Sequence, residues 1–146
     1  PMARMIFINL PVTDLDRSIR FYEAIGATRN EQFSNEQAAM MVLSETIHIM
    51  LLTHAFYSSF TARPIAKAGA TSQVMLCLSA DSRADVDRTL AAAAAAGART
   101  DLSLRKDDHD CMYGRDFEDP DGHQWEVMWM DPAAMEADRQ LQTEEA

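Results

Sequence analysis

Basic clusters, paired cysteines and long apolar runs are all missing from this 146-residue chain. Thirteen Lys and Arg face 23 Asp and Glu, a formal charge of −10. No stretch gathers the positive charge that a nucleic-acid backbone or an anionic membrane surface would need, so neither is an expected partner. The two cysteines, Cys77 and Cys111, form no C-x-x-C pair. That argues against a zinc knuckle or a disulfide scaffold, and both are expected as buried, reduced thiols. No apolar run approaches the about 18 residues of a membrane-spanning helix; the longest, Ala91 to Ala96, is polyalanine within an amphipathic pattern. The first residues lack the long apolar segment of a signal peptide, so a cytoplasmic location is expected. Five Gly and five Pro exclude collagen-like or low-complexity chains, and 47% apolar residues is the composition of a globular domain.

What the chain does contain is an internal repeat. Asp14-Leu15-Asp16-Arg17-Ser18-Ile19 returns as Asp85-Val86-Asp87-Arg88-Thr89-Leu90, and Gly26-Ala27 returns at the same offset as Gly97-Ala98. Each copy reads as strand, helix and three strands. In the first, Met5 to Leu10 is a strand. Leu15, Ile19, Tyr22 and Ile25 then recur at helical spacing, with Thr13 or Asp14 as N-cap and Gly26 as the left-handed stop. Strands are expected at Thr28 to Phe33, Ala38 to Leu43 and Thr46 to Thr53. The second copy repeats the order with a strand at Gln73 to Leu78 and a helix from about Ser82 to Ala96. Strands near Arg99 to Leu104, Cys111 to Glu118 and His123 to Met130 follow. Residues 54–71 read as a linker whose aromatics Phe56, Tyr57 and Phe60 anchor the connection or overhang a pocket. Residues 132–146 read as an acidic C-terminal tail that begins with a short helix at Asp131-Pro132.

Two segments carry a resemblance to a known family. One runs Val12-Thr13-Asp14-Leu15-Asp16-Arg17-Ser18-Ile19-Arg20-Phe21-Tyr22; the other runs Glu118-Asp119-Pro120-Asp121-Gly122-His123-Gln124-Trp125-Glu126. Together and in this order they resemble the vicinal oxygen chelate superfamily of glyoxalase I, bleomycin-resistance proteins and extradiol dioxygenases. Met112-Tyr113-Gly114-Arg115, with Trp125 to Pro132, resembles a bacterial subgroup labelled lactoylglutathione-lyase-like. The resemblance implies an α+β fold of two βαβββ modules, 4–53 and 72–131, with cupped mixed sheets and helices outside. It covers 4–131 as one domain and implies a homodimer around a small-molecule ligand.

In metal-dependent members, strands one and four of each module offer ligands to one divalent ion. Aligned on the two motifs, this chain offers Phe7, Leu51, Gln73 and Glu126 at those places. Only Glu126 is a good ligand, so no cofactor is expected and a divalent metal is disfavoured. Glu126 is the expected acid or base, and Phe7, Asn9, Leu51, Gln73, Tyr113 and Arg115 are the expected substrate contacts. His48 should point away from the Leu51 face, and His109 lies in a charged loop, either solvated or a lid. An even-numbered turn centred on Pro120-Asp121 would set Arg115 directly opposite Glu126, with Cβ atoms about 5 Å apart. There the guanidinium would donate a bidentate pair to the carboxylate and replace the metal's charge, with Gln73 and Tyr113 nearby. Three functions stay open: a lyase or isomerase acting on a small oxygenated metabolite, a metal-free binding or sequestration protein of the drug-resistance type, and a non-catalytic structural or regulatory dimer.

Overall fold

A computed structural model describes residues 2–145. The first unit comprises β1 (Ile6–Val12), α1 (Leu15–Ala24), β2 (Thr28–Asn30), β3 (Ala38–Val42) and β4 (Ile47–Thr53). A one-turn helix α2 (His54–Ser58) follows, capped by the Thr53 hydroxyl. The second unit comprises β5 (Met75–Ser79), α3 (Arg83–Ala95), the short strands β6 (Arg99–Thr100) and β7 (Asp108–His109), β8 (Met112–Glu118) and β9 (Gln124–Met130), and α4 (Pro132–Glu145) closes the chain. The sheets run β1-β4-β3-β2 and β5-β9-β8-β6, with β7 added beside β8. In each, the first strand lies parallel to the last and the remaining pairs are antiparallel. The fold is α+β, as the repeat implies.

The two copies share their helix chemistry. Asp14 and Ser82 cap the N-termini by accepting the N–H of Arg17 and Asp85. Both helices end on a glycine at positive φ, Gly26 and Gly97. Beyond it the N–H of Ala27 or Ala98 reaches back to the carbonyl of Tyr22 or Ala93. Two expected strands are shorter. The segment after Asn30 turns into a 3₁₀ helix (Glu31–Phe33) because the Asn30 side chain caps it at the N–H of Gln32. The strand at Arg99 stops at Thr100 because Asp101 adopts φ 64°, and the next two N–H groups, of Leu102 and Ser103, go to the Asp116 carboxylate. The short helix expected after Asp131 runs on as α4.

The core lies between the helices and one face of each sheet. It joins Leu10, Val12, Ile49 and Leu51 of the first sheet, Phe21 and Tyr22 of α1, Val86 of α3, and Phe117, Trp125 and Val127 of the second sheet. The two motif segments meet here. Tyr22 donates to Asp119 Oδ2 at 2.6 Å and accepts from Trp125 Nε1 at 3.0 Å. Thr13 donates from its N–H and its hydroxyl to Asp121 Oδ1 at 3.0 and 2.8 Å, and Ser18 reaches Asp121 Oδ2 at 3.4 Å. The His123 ring lies 2.8 Å from the Pro11 carbonyl. The residues that carry the family resemblance are therefore a latch between the two units.

Candidate functional site

Strand alternation gives each sheet a second face, turned away from the helices. On the first sheet this open face carries Phe7, Asn9, His48 and Met50, since Phe7 pairs with His48 and Asn9 with Met50. The Phe7 and His48 rings stack at 4.6 Å, and the buried His48 Nδ1 has no hydrogen-bond partner among the described residues. Leu51 is not on this face. It is 0% exposed in the helix-side core, so the expectation that Leu51 contacts a ligand is corrected. The neighbours of Phe7 and Asn9 on β4 are His48 and Met50, one residue out of phase with the motif alignment.

On the second sheet the open face carries Met75 and Cys77 of β5, Gly114 and Asp116 of β8, and Gln124, Glu126 and Met128 of β9. Glu126 pairs with Cys77 on one side and Asp116 on the other. The expected Arg115–Glu126 pair does not form, because Arg115 stands opposite Val127. The hairpin is the reason. Asp119 N–H bonds the His123 carbonyl across a three-residue loop, Pro120-Asp121-Gly122, with Gly122 at φ 93°. A glycine in the left-handed region after a turn makes an odd loop and moves the register by one residue. Arg115 and Tyr113 therefore lie on the helix-side face. Arg115 sits 4.2 Å over the Tyr113 ring and 3.3 Å from Asp108, while the Tyr113 hydroxyl donates to Asp87 of α3 at 2.5 Å.

The like-charged Asp116–Glu126 opposition is tolerated because Asp116 turns its carboxylate to the N–H groups of Leu102 and Ser103, at 2.8 and 3.0 Å. Glu126 has no such relief. Among the described residues its Oε1 is buried without a hydrogen-bond partner, although the side chain as a whole is only half-buried. A Cβ added at Gly114 would fall 2.8 Å from that oxygen, so the absence of a side chain at Gly114 creates the cradle the carboxylate occupies. Burial pushes the Glu126 carboxyl above the ordinary carboxylate range, and the charges of Asp107 and Asp116 push it further. The Cys77 thiol is pushed up by burial and then by Glu126 and Asp107. Cys77 is exposed rather than buried, because it lies on the open face of an edge strand. A cavity of about 370 Å³ lies against Glu126, walled by Met75, Leu102, Leu104 and Trp125. A second cavity, about 510 Å³, lies at the junction of the units between β1, the start of β5 and the 57–71 segment. Asn9 and Gln73 line it, and Gln124 lines both cavities.

These residues do not fit a divalent ion. Glu126 has Cys77 and Asp116 as its strand neighbours, but the Asp116 carboxylate is turned to the N–H groups of Leu102 and Ser103, and among the described residues no group of three His, Cys, Asp or Glu converges as metal ligands would. Gly114, Cys77 and His48 were not among the expected site residues; the one signal for Gly114 was a glycine inside a strand pattern.

The sequence profile of the Glyoxalase/Bleomycin resistance protein/Dioxygenase superfamily matches residues 4–127. The chain belongs to this superfamily. Solved structures share the superfamily fold at low identity. Hypothetical protein SA1046 from S. aureus is 21% identical, with 88% of this chain and 95% of that one covered and a TM-score of 0.71. The lactoylglutathione lyase from Agrobacterium tumefaciens is 23% identical, with the same coverages and a TM-score of 0.63. TnmS3, an antibiotic binding protein from Streptomyces sp. CB03234, is 16% identical, covers 89% and 98%, and has a TM-score of 0.61. Comparison with curated proteins gives no match. Among the described residues no helix is long and apolar enough to cross a membrane.

The raised Glu126 carboxyl has a consequence for stability. A group whose folded pKa lies above its unfolded value stabilises the fold fully below the unfolded pKa, and that contribution is lost as pH rises through the folded pKa. At neutral pH the charged, unpartnered Glu126 therefore opposes folding. Glu126→Gln is expected to raise the thermal midpoint at pH 7, with the difference shrinking as pH falls toward about 4, near the unperturbed Glu value. Calorimetry across that range checks it; a Gln variant less stable at pH 7 would contradict the assignment.

Proposed function

We propose that this superfamily member binds a small molecule on the open face of its second sheet, without a divalent metal, as a cytoplasmic homodimer of the binding or sequestration type. One observation carries the reading: among the described residues Glu126 Oε1 is buried with no hydrogen-bond partner, beside a cavity of mixed polar and apolar walls. A buried acceptor left unsatisfied is costly in the free protein. A ligand that brings an N–H or O–H donor, or an ammonium group, satisfies it, and Met75, Leu102 and Leu104 take the apolar remainder. Titration calorimetry with metal-free bleomycin, a cationic glycopeptide, tests this. Binding is expected, and Glu126→Gln should weaken it about tenfold, equivalent to about 1.4 kcal/mol. Equal affinity in the variant would count against the site.

The raised Glu126 carboxyl supports a second reading, in which it moves a proton for a lyase or isomerase. Turnover of a glutathione hemithioacetal that is lost in Glu126→Gln would favour that reading.

Exposure supports the dimer. The chain has 9707 Å² of accessible surface, against roughly 7,500 Å² for a compact monomer of this mass. Ile6, Phe7, Val74 and Met75, all in or beside the first strands of the two units, are 53%, 45%, 56% and 76% exposed. A second copy covering these positions removes that apolar surface from water. Sedimentation velocity at micromolar concentration should give a dimer, and Met75→Asp should shift it to monomer. A wild-type monomer would refute the dimer.

A further inference from the structure

The junction cavity differs in charge from the rest of the molecule. The chain has 23 acidic residues in 146, and the Glu126 cavity is lined by three of them, Asp116, Glu118 and Glu126, against one arginine, Arg105. The junction cavity, at about 510 Å³, has no Asp or Glu among its lining residues, and Arg63 is its one guanidinium. Its other polar groups can donate. Asn9 and Gln73 present side-chain amides. Gln124 has its Oε1 occupied by the Ser72 hydroxyl at 2.5 Å, which leaves its NH₂ free to donate. Ile65, Val74 and Leu76 give the cavity apolar walls. Its volume is that of a small-molecule pocket, in which a few placed polar groups fix orientation against apolar walls.

From this we infer that the junction cavity is a second ligand site, separate from Glu126, and that it takes a small organic carboxylate. The carboxylate accepts from the Arg63 guanidinium, whose planar fork matches two carboxylate oxygens, and the amides of Asn9, Gln73 and Gln124 complete the donors. In a chain of net charge −10 an anion is repelled almost everywhere, so a cavity cleared of carboxylates around one arginine is selective for it. A single arginine suits a monoanion with an apolar body better than a phosphate dianion. The fixed position of the 57–71 segment follows from its close seat on the Asp119–Gly122 turn, where a Cβ at Gly122 would lie 2.6 Å from the Gly69 backbone.

The test uses the full chain, with phenylbutyrate, benzoate and succinate set against phenylbutylamine and inorganic phosphate, read by amide chemical shifts. At least one carboxylate should bind with a Kd near or below about 1 mM and shift residues of the 57–74 segment. Arg63→Gln and the cavity-filling Ala66→Phe should each weaken it about tenfold or more, while Glu126→Gln leaves it unchanged. The proposal is overturned if no carboxylate binds, if phosphate or the amine binds in this segment as tightly as the carboxylates, or if Arg63→Gln has no effect. It is likewise overturned if the shifts map to residues 102–118 and vanish in Glu126→Gln.

Discussion

Replacing Asp119 by Ala should lower the unfolding free energy by about 3 kcal/mol or more, because it strands several buried donors, each costing about 1–3 kcal/mol. Asp119 Oδ1 accepts the backbone N–H of Asp121 and of His123, both at 2.9 Å, and Oδ2 accepts the Tyr22 hydroxyl at 2.6 Å. The Tyr22 hydroxyl in turn accepts from Trp125 Nε1. Losing the carboxylate loosens the turn and the aromatic contact between the units together. Burial holds the Asp119 carboxyl above its ordinary value, opposed by His123 and by its hydrogen bonds. Asp119→Asn keeps one acceptor for the two backbone N–H groups but sets an NH₂ where Oδ2 accepts the Tyr22 hydroxyl, so it should recover only part of the loss. Asp121→Ala is the comparison: it removes two bonds from Thr13 and the part-buried contact with Ser18 from a carboxylate that is 8% exposed, and about 1–2 kcal/mol is expected. Urea denaturation of the three variants decides the matter. Asp121→Ala costing as much as Asp119→Ala would show that the buried network is not what joins the units.

Gly114→Ala should abolish ligand binding at Glu126 while leaving the fold intact. The new Cβ would lie 2.8 Å from Glu126 Oε1 and 3.4 Å from Met128 Cε. The carboxylate is the far end of a flexible side chain, so it swings out of the cradle rather than breaking the sheet. Gly114 is not at positive φ, so alanine is compatible with its backbone and the unfolded chain loses entropy. Stability should stay level or rise by about 0.4–1 kcal/mol. Affinity for a ligand held by Glu126 should fall at least tenfold, about 1.4 kcal/mol. Calorimetric titration and thermal denaturation on the same sample separate the two effects. Undiminished affinity would show that the ligand does not use the carboxylate in its cradle.

The architecture was legible because the repeat, the helix caps and the two motifs are local and reinforce one another. Asp14, Ser82, Gly26 and Gly97 act within a few residues of themselves, and sequence order alone places them. The site was less legible because it depends on parity and register. Alternation sets His48 and Leu51 on opposite faces, but which of them meets the helix-side core depends on α1 packing against the sheet. Leu51 took the core and left the open face to His48 and Met50. The Arg115–Glu126 pairing failed on one residue, because Gly122 adopts the left-handed conformation and lengthens the turn to three residues. The register that forms sets two carboxylates opposite each other, Asp116 and Glu126, and is tolerated because the N–H groups of Leu102 and Ser103, distant in sequence, hold the Asp116 carboxylate. Gln73 precedes β5 and lines the junction cavity instead of standing beside Glu126.

The claim that the open face works through an unpartnered carboxylate, without a metal, is tested most directly by equilibrium dialysis against Zn²⁺, Ni²⁺, Mn²⁺ and Co²⁺. Elemental analysis and bleomycin titration are then run with and without chelator. The account predicts no stoichiometric ion and a ligand affinity that chelation does not change. About one ion per chain, lost in Glu126→Gln and required for the ligand to bind, would contradict it, because Cys77 and Asp116, the strand neighbours of Glu126, would then have to turn toward one ion, Asp116 giving up the N–H groups of Leu102 and Ser103.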